Sequence, residues 1–149
     1  MDFEAIKASL SAAVPMVRTL NLEYLELDDE RALLRMPDDQ AFHNHIGGPH
    51  AGAMFTLGES ASGAVVIAAF SDQMSRALPL AADGSIVYTK PAMGAVLAEA
   101  RLSRPKAEVI ADLDEGKNGR FAVNVELRTE DGTVTGQMTV TWVLRLNRV

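Results

Sequence analysis

A run of small and apolar residues constrains the fold of this chain more than any other feature. Residues 50–70 follow the break Gly47-Gly48-Pro49 and contain six alanines, three glycines and a single carboxylate, that of Glu59. A helix that is apolar on nearly every side is buried. Small side chains also let other elements approach the backbone closely. The pattern therefore predicts a long central helix wrapped by a sheet.

The remaining chain predicts a shorter helix and about six strands. Phe3, Ile6 and Leu10 recur at helical spacing, so a helix is expected over residues 2–13, stopped by Pro15. Residues 105–115 fit a strand or a short helix, and the helix is favoured. Strands are expected at 20–27 and 31–36, which form a hairpin with a bulge or bend, and at 85–90, 95–103, 121–128 and 134–144. The expected fold class is α+β.

Composition limits the possible functions. The 149 residues suit one domain, expected over 1–149, with 48% apolar and 23% charged residues. A net charge of −6 without a basic block argues against nucleic-acid binding. The absence of cysteine excludes disulfides and thiolate sites. The acidic start Met1-Asp2-Phe3-Glu4 and the short apolar run 61–70 predict no leader and no membrane span, hence a cytoplasmic protein.

The start of the central helix and its one carboxylate together indicate acyl chemistry. Unpaired N–H groups and the positive end of the dipole can hold an oxyanion or a polarised carbonyl oxygen. Burying Glu59 costs several kcal/mol unless it is paired, hydrated or functional. A purely structural role for Glu59 remains the alternative. His43, His45 and His50 could hold a metal, but loop hydrogen bonding explains them better, and no metal or other cofactor is expected.

Asn44, Gly47, His50-Ala51-Gly52 and Glu59 have the spacing of a known motif, and Tyr88-Thr89-Lys90-Pro91-Ala92 matches a second one. The chain thereby resembles the hotdog-fold acyl-CoA thioesterases of the 4-hydroxybenzoyl-CoA and phenylacetic-acid-pathway type. The resemblance implies a hotdog fold and hydrolysis of an acyl-CoA or acyl-carrier thioester. The chain departs from the family pattern at two positions. Ala51 stands where relatives usually carry Gly, and Ala81 stands where many relatives carry a Ser or Thr.

The resemblance also implies roles for individual residues. Glu59 acts as general base or nucleophile, the Ala51 backbone N–H beside Gly52 is the oxyanion donor, Asn44 orients water or the loop, and His50 caps or stiffens the loop. Ser60 or Ser85 would replace the hydroxyl that Ala81 lacks. The residues expected to bind substrate are Gly47, Gly48, Met54, Ser60, Ser85, Tyr88 and Lys90. Lys90, Arg101, Arg104 and Lys106 are candidate cations for the phosphates of coenzyme A.

Helix geometry adds a constraint on the assembly. Ala51 and Glu59 are eight residues apart, or about 12 Å along one helix, so no single thioester carbon can touch both. Catalysis therefore requires a homodimer, or a dimer of dimers, in which two copies share each site. A non-catalytic acyl-CoA-binding module and an enoyl-thioester hydratase or dehydratase are the alternatives.

Overall fold

One six-stranded antiparallel sheet forms the framework of the protein. The structure is a computed structural model and describes residues 2–148. The strands are β1 (Glu23–Leu27), β2 (Arg31–Met36), β3 (Ala77–Tyr88), β4 (Val96–Leu102), β5 (Gly119–Thr129) and β6 (Val134–Leu146). Their order across the sheet is β1-β2-β4-β5-β6-β3, so β1 and β3 are the edges. The α+β prediction is confirmed.

The long helix α3 (Ala51–Phe70) lies against one face of this sheet. Alternate residues of β5, from Phe121 to Leu127, are buried beneath it. Helix and sheet approach closely at Gly58, because a Cβ at that position would lie 2.5 Å from the sulfur of Met138 on β6 and would force that side chain to shift. The stretch Ala51–Gln73 passes for a membrane span by length and composition, but 61% of its apolar window is buried inside the protein. It is the core helix of the fold.

Within residues 2–148, three shorter α-helices complete the fold: α1 (Phe3–Ala13), α2 (Pro15–Thr19) and α4 (Lys106–Asp114). The expected helix over 2–13 is confirmed as α1, whose N-cap is Asp2. Pro15 ends α1 and also begins α2, which the sequence did not predict, because proline is well suited to the first helical position. The favoured helix over 105–115 is confirmed as α4, which buries Val109 and Leu113.

The expected strand at 85–90 was wrong in its bounds. β3 begins eight residues earlier, at Ala77, and ends at Tyr88. The segment 79–84 includes Pro79, Asp83 and Gly84, which are rare inside strands, so it lacks a local strand signal. Pairing with β6 over its whole length forms the strand, with an irregularity between Ala81 and Asp83. The bulge expected in the first hairpin is confirmed, between Tyr24 and Glu26.

Candidate active site

The loop before α3 is held in shape by Asn44. Its Oδ1 accepts hydrogen bonds from the N–H groups of Ile46 (3.0 Å) and Gly48 (3.1 Å), and its Nδ2 donates to the carbonyl of Pro49 (3.3 Å). Gly47 has φ +78°, a conformation that favours glycine. A Cβ at Gly48 would lie 2.5 Å from the carbonyl oxygen of Ala92. The side chain of Asn44 is thus committed to the loop, and both glycines are required by its path.

The first turn of α3 leaves the backbone N–H of Ala51 open beside the loop. His50 is the N-cap, and its Nδ1 accepts a hydrogen bond from the N–H of Gly52 at 2.9 Å. The hydroxyl of Tyr88 donates to the carbonyl of Ala51 at 2.7 Å and ties the end of β3 to this turn. Among residues 2–148 no acceptor contacts the exposed N–H of Ala51. The N–H of Ala51 is therefore free, whereas the N–H of Gly52 is occupied by His50.

A cavity of about 340 Å³ lies at this helix start. It brings together several residues that the sequence predicted, namely Asn44, Ala51, Met54, Tyr88 and Lys90. Pro91 and Ala92, in the segment that follows β3, also line this cavity. Burial raises the pKa of the Tyr88 phenol above its ordinary value.

Glu59 opens into a different cavity, of about 240 Å³. Its side chain is half-buried, and within the described chain its carboxylate has no hydrogen bond and no ion pair. Burial raises the pKa of this carboxyl above 4.5, because desolvation disfavours the charged form. Ser60 shares the cavity, whereas Ser85 lines neither cavity. An unpaired, partly desolvated carboxylate is suited to proton transfer or nucleophilic attack.

Tyr24 is a site residue that sequence reasoning missed. It lies on β1 and lines the Glu59 cavity. Burial, and secondarily the negative charge of Glu59, raise the pKa of its phenol to about 12. Tyr24 therefore stays protonated and can donate a hydrogen bond beside Glu59. No local pattern in the sequence shows that β1 passes this point of α3.

One face of α3 follows the edge strand β3 between the two cavities. At the start of the helix Ala51 meets Tyr88, and one turn later the ring of Phe55 lies under Gly84, where a Cβ would come within 3.0 Å of it. A further turn along, Glu59 and Pro79 line the same cavity. The open donor and the free carboxylate thus lie on one helix face, beside opposite ends of one edge strand.

Two of the three histidines near the helix start, His43 and His50, make hydrogen bonds there. His43 Nε2 lies 2.7 Å from a carboxylate oxygen of Asp38 and His50 caps α3. Within residues 2–148, no three His, Cys, Asp or Glu side chains are grouped so that they could hold a metal ion.

Comparison with known proteins identifies the family of this chain. A family model described as "Domain of unknown function (DUF4442)" matches residues 3–144. The chain belongs to the DUF4442 family. No curated protein matches it.

Solved structures with the same fold are thioesterase-family hotdog proteins, so the hotdog prediction is confirmed. A Pseudomonas aeruginosa protein described as of unknown function and a probable thioesterase is 26% identical, covers 99% of this chain and 97% of its own, and has a TM-score of 0.87. A thioesterase family protein of Silicibacter pomeroyi is 21% identical, with coverages of 98% and 100% and a TM-score of 0.79. The Escherichia coli PaaI protein of the phenylacetic acid degradation operon is 13% identical, with coverages of 97% and 94% and a TM-score of 0.76.

Proposed function

We propose that this DUF4442 protein hydrolyses acyl-CoA or acyl-carrier thioesters at a site shared between two copies of the chain, in the cytoplasm. The observation that carries the proposal is the pair formed by the open Ala51 N–H and the unpaired Glu59 carboxylate. Both lie on one face of α3 but open into separate cavities. Thioester hydrolysis needs these two groups, an oxyanion donor and a base or nucleophile.

The reaction follows from these two groups. The Ala51 N–H donates to the thioester carbonyl oxygen, and one such donor is worth roughly 2.7–4 kcal/mol in the transition state. Glu59 takes a proton from a water molecule as that water attacks the carbonyl carbon. Collapse of the tetrahedral intermediate breaks the carbon–sulfur bond and forms the carboxylic acid. Glu59 returns its proton to the sulfur, which leaves as the free thiol. Direct attack by Glu59, through an anhydride that water then cleaves, gives the same products.

Dimerisation through β3 would bring the two groups together. β3 is an edge strand of twelve residues with exposed apolar side chains, including Leu78, Leu80 and Val87. Antiparallel pairing of two β3 strands about a two-fold axis near their midpoint sets the Tyr88 end of one copy beside the Pro79 end of the other. Ala51 lies at the first end and Glu59 at the second. Each complete site would then combine Ala51 from one copy with Glu59 from its mate, in a dimer or a dimer of dimers.

A pair of single substitutions tests the chemistry. Ala51→Pro removes the donor N–H and leaves the helix backbone in place, because proline is favoured at the first helical position and His50 already has the extended backbone (φ −62°, ψ 139°) that precedes proline. We expect kcat for free-thiol release from acyl-CoA to fall about 10²–10³-fold. Ala51→Gly keeps the N–H and is the matched control. Glu59→Gln should abolish release, and equal release by wild type and Glu59→Gln would refute the proposal.

A mixing experiment tests whether the site is shared. Ala51→Pro and Glu59→Gln subunits are each defective alone. A mixed dimer contains one intact site, which combines Ala51 of the Glu59→Gln subunit with Glu59 of the Ala51→Pro subunit, and one site that lacks both groups. Random reassociation of equal amounts should therefore restore about a quarter of wild-type activity. If donor and carboxylate of the same chain acted together, mixing would restore nothing.

Binding without turnover is the second candidate function. Ala81 pairs with Trp142, which lines the Glu59 cavity, and it offers no hydroxyl to assist the carboxylate. An acyl-CoA-binding module would show saturable heat of binding in calorimetry and no thiol release. Rapid thiol release would exclude it.

A further inference from the structure

We propose that the cavity beside Glu59 is the acyl-chain pocket, and that it takes a straight, saturated acyl group of about six to ten carbons. The number of carbons is scaled from the cavity volume, since an apolar cavity of about 150 Å³ holds the six carbons of one benzene ring. This inference rests on the proposed function, because it assumes that the thioester carbon lies at Glu59. It specifies the class of acyl group that the enzyme accepts, and it assigns the limit on acyl-chain length to the N-terminal helices α1 and α2.

The wall of the pocket is aliphatic on most sides. Leu10, Val17, Ala64, Ile67 and Pro79 in this wall have aliphatic side chains. The N–H of Trp142 is already donated to the hydroxyl of Ser62 at 3.0 Å. The other polar side chains in the wall are Tyr24, Glu59 and Ser60. A saturated acyl chain needs no hydrogen-bond partner from its wall, so the aliphatic side chains are enough to hold it.

The size of the pocket sets the chain length. Its volume is about 240 Å³, compared with about 340 Å³ for the cavity at the helix start. The latter is lined by Asn44, Tyr88, Thr89 and Lys90, so it is the more polar of the two. In the shared site the acyl chain therefore enters the cavity of Glu59, and the thiol half of the substrate lies in the cavity of the mate's Ala51.

The N-terminal segment closes one side of the pocket. Leu10 is on α1, Val14 joins α1 to α2, and Val17 is on α2. α1 has no fully buried residue and Leu10 packs against the edge of the core, so trimming Leu10 removes wall atoms at that edge and not at the centre of the core. In the same wall Gly63 of α3 faces Trp142, and a Cβ at Gly63 would lie 3.5 Å from the indole ring, an ordinary contact distance. The pocket can thus be lengthened at Leu10 and shortened at Gly63.

The test compares kcat/KM for acyl-CoA substrates from acetyl to myristoyl, with benzoyl- and phenylacetyl-CoA alongside. Wild type should be fastest between hexanoyl and decanoyl. Gly63→Val should lower the decanoyl-to-butyryl ratio about tenfold, with Gly63→Ala as a milder variant in case valine impairs folding. Leu10→Ala should move the optimum to longer chains. Ser9→Ala, on the exposed side of α1, is the control and should leave the profile unchanged.

Two outcomes would overturn this inference while leaving thioester hydrolysis intact. One is hydrolysis whose chain-length profile does not change in Gly63→Val, Gly63→Ala or Leu10→Ala. The other is faster hydrolysis of an aryl thioester than of octanoyl-CoA. Calorimetry with the same acyl-CoAs separates the two proposals: chain-length-dependent binding that shifts in these variants, without thiol release from any substrate, supports the pocket and refutes hydrolysis.

Discussion

Glu59 carries a cost in stability that its proposed role explains. Burial raises its pKa in the folded protein above the ordinary value of 4.5, so the charged form is disfavoured by folding. Below pH 4.5 the carboxyl is protonated in both folded and unfolded chains and there is no penalty. As the pH rises through the folded pKa, stability is lost. Glu59→Gln should therefore raise the urea unfolding midpoint at about pH 8 and have little effect at about pH 4. A lower midpoint at pH 8 would contradict this reasoning.

Ser62 is the buried polar residue that joins α3 to the sheet. Its hydroxyl donates to the carbonyl of Glu59 at 2.7 Å and accepts from the indole N–H of Trp142 at 3.0 Å. Ser62→Ala leaves that N–H buried without a partner, which costs about 1–3 kcal/mol of the free energy of unfolding. Trp142 is the only tryptophan in the chain, so its fluorescence reports the unfolding directly. Ser60→Ala, two residues away in the same helix, should change stability by less than half as much.

The outer face of the sheet is stabilised by a carboxylate shared among strands. Glu99 on β4 contacts Arg31 on β2 (2.8 Å), Arg128 on β5 (2.8 Å) and its neighbour Arg101 (2.7 Å). Hydrogen bonds from these guanidinium groups, Arg31 first, lower the pKa of Glu99 from 4.5 to about 2. A lowered folded pKa gives stability that is present above pH 4.5 and is lost as the pH falls towards 2.

Glu99→Gln should therefore cost about 1–2 kcal/mol at neutral pH, less than the full shift in pKa implies because water screens the outer face. The difference from wild type should shrink as the pH falls from about 4.5 to 2. Glu126→Gln is the control, since its carboxylate is more exposed and makes one longer contact, 3.4 Å, with Arg128. Denaturant titrations over this pH range would contradict the assignment if the difference stayed constant.

Elements with a strong local pattern were predictable, and those formed by distant pairing were not. The run of small residues identified α3, because a helix that is buried on nearly every side is apolar all round. Strict alternation of apolar and polar residues identified β5, because only one face of that strand is buried. The first half of β3 was missed, since Pro79, Asp83 and Gly84 adopt a strand only through pairing with β6. Within the site, spacing predicted Asn44, Ala51 and Glu59 as candidates. It could not show that His50 occupies the Gly52 N–H, or that Tyr24 reaches Glu59 from β1.

At the scale of the whole molecule, the two edges of the sheet differ. β1 has five residues, whereas β3 has twelve and carries Leu78, Leu80 and Val87 on the surface. A long exposed edge with apolar side chains readily pairs with another strand. We expect a homodimer in which β3 pairs with β3 of the second copy, so that one continuous sheet joins two domains.

Lysine at an edge strand opposes such pairing, because a charge would be buried in the interface. Val87 on β3 is 64% exposed and Leu25 on β1 is 42% exposed, so each can accept lysine without disturbing the core. We expect Val87→Lys to convert the dimer into a monomer in sedimentation experiments and to lose thiol release in parallel, because Glu59 then has no second copy's Ala51 beside it. Leu25→Lys, the same change at the opposite edge, should leave both properties unchanged. A monomeric Val87→Lys protein with full activity would show that one chain contains a complete site.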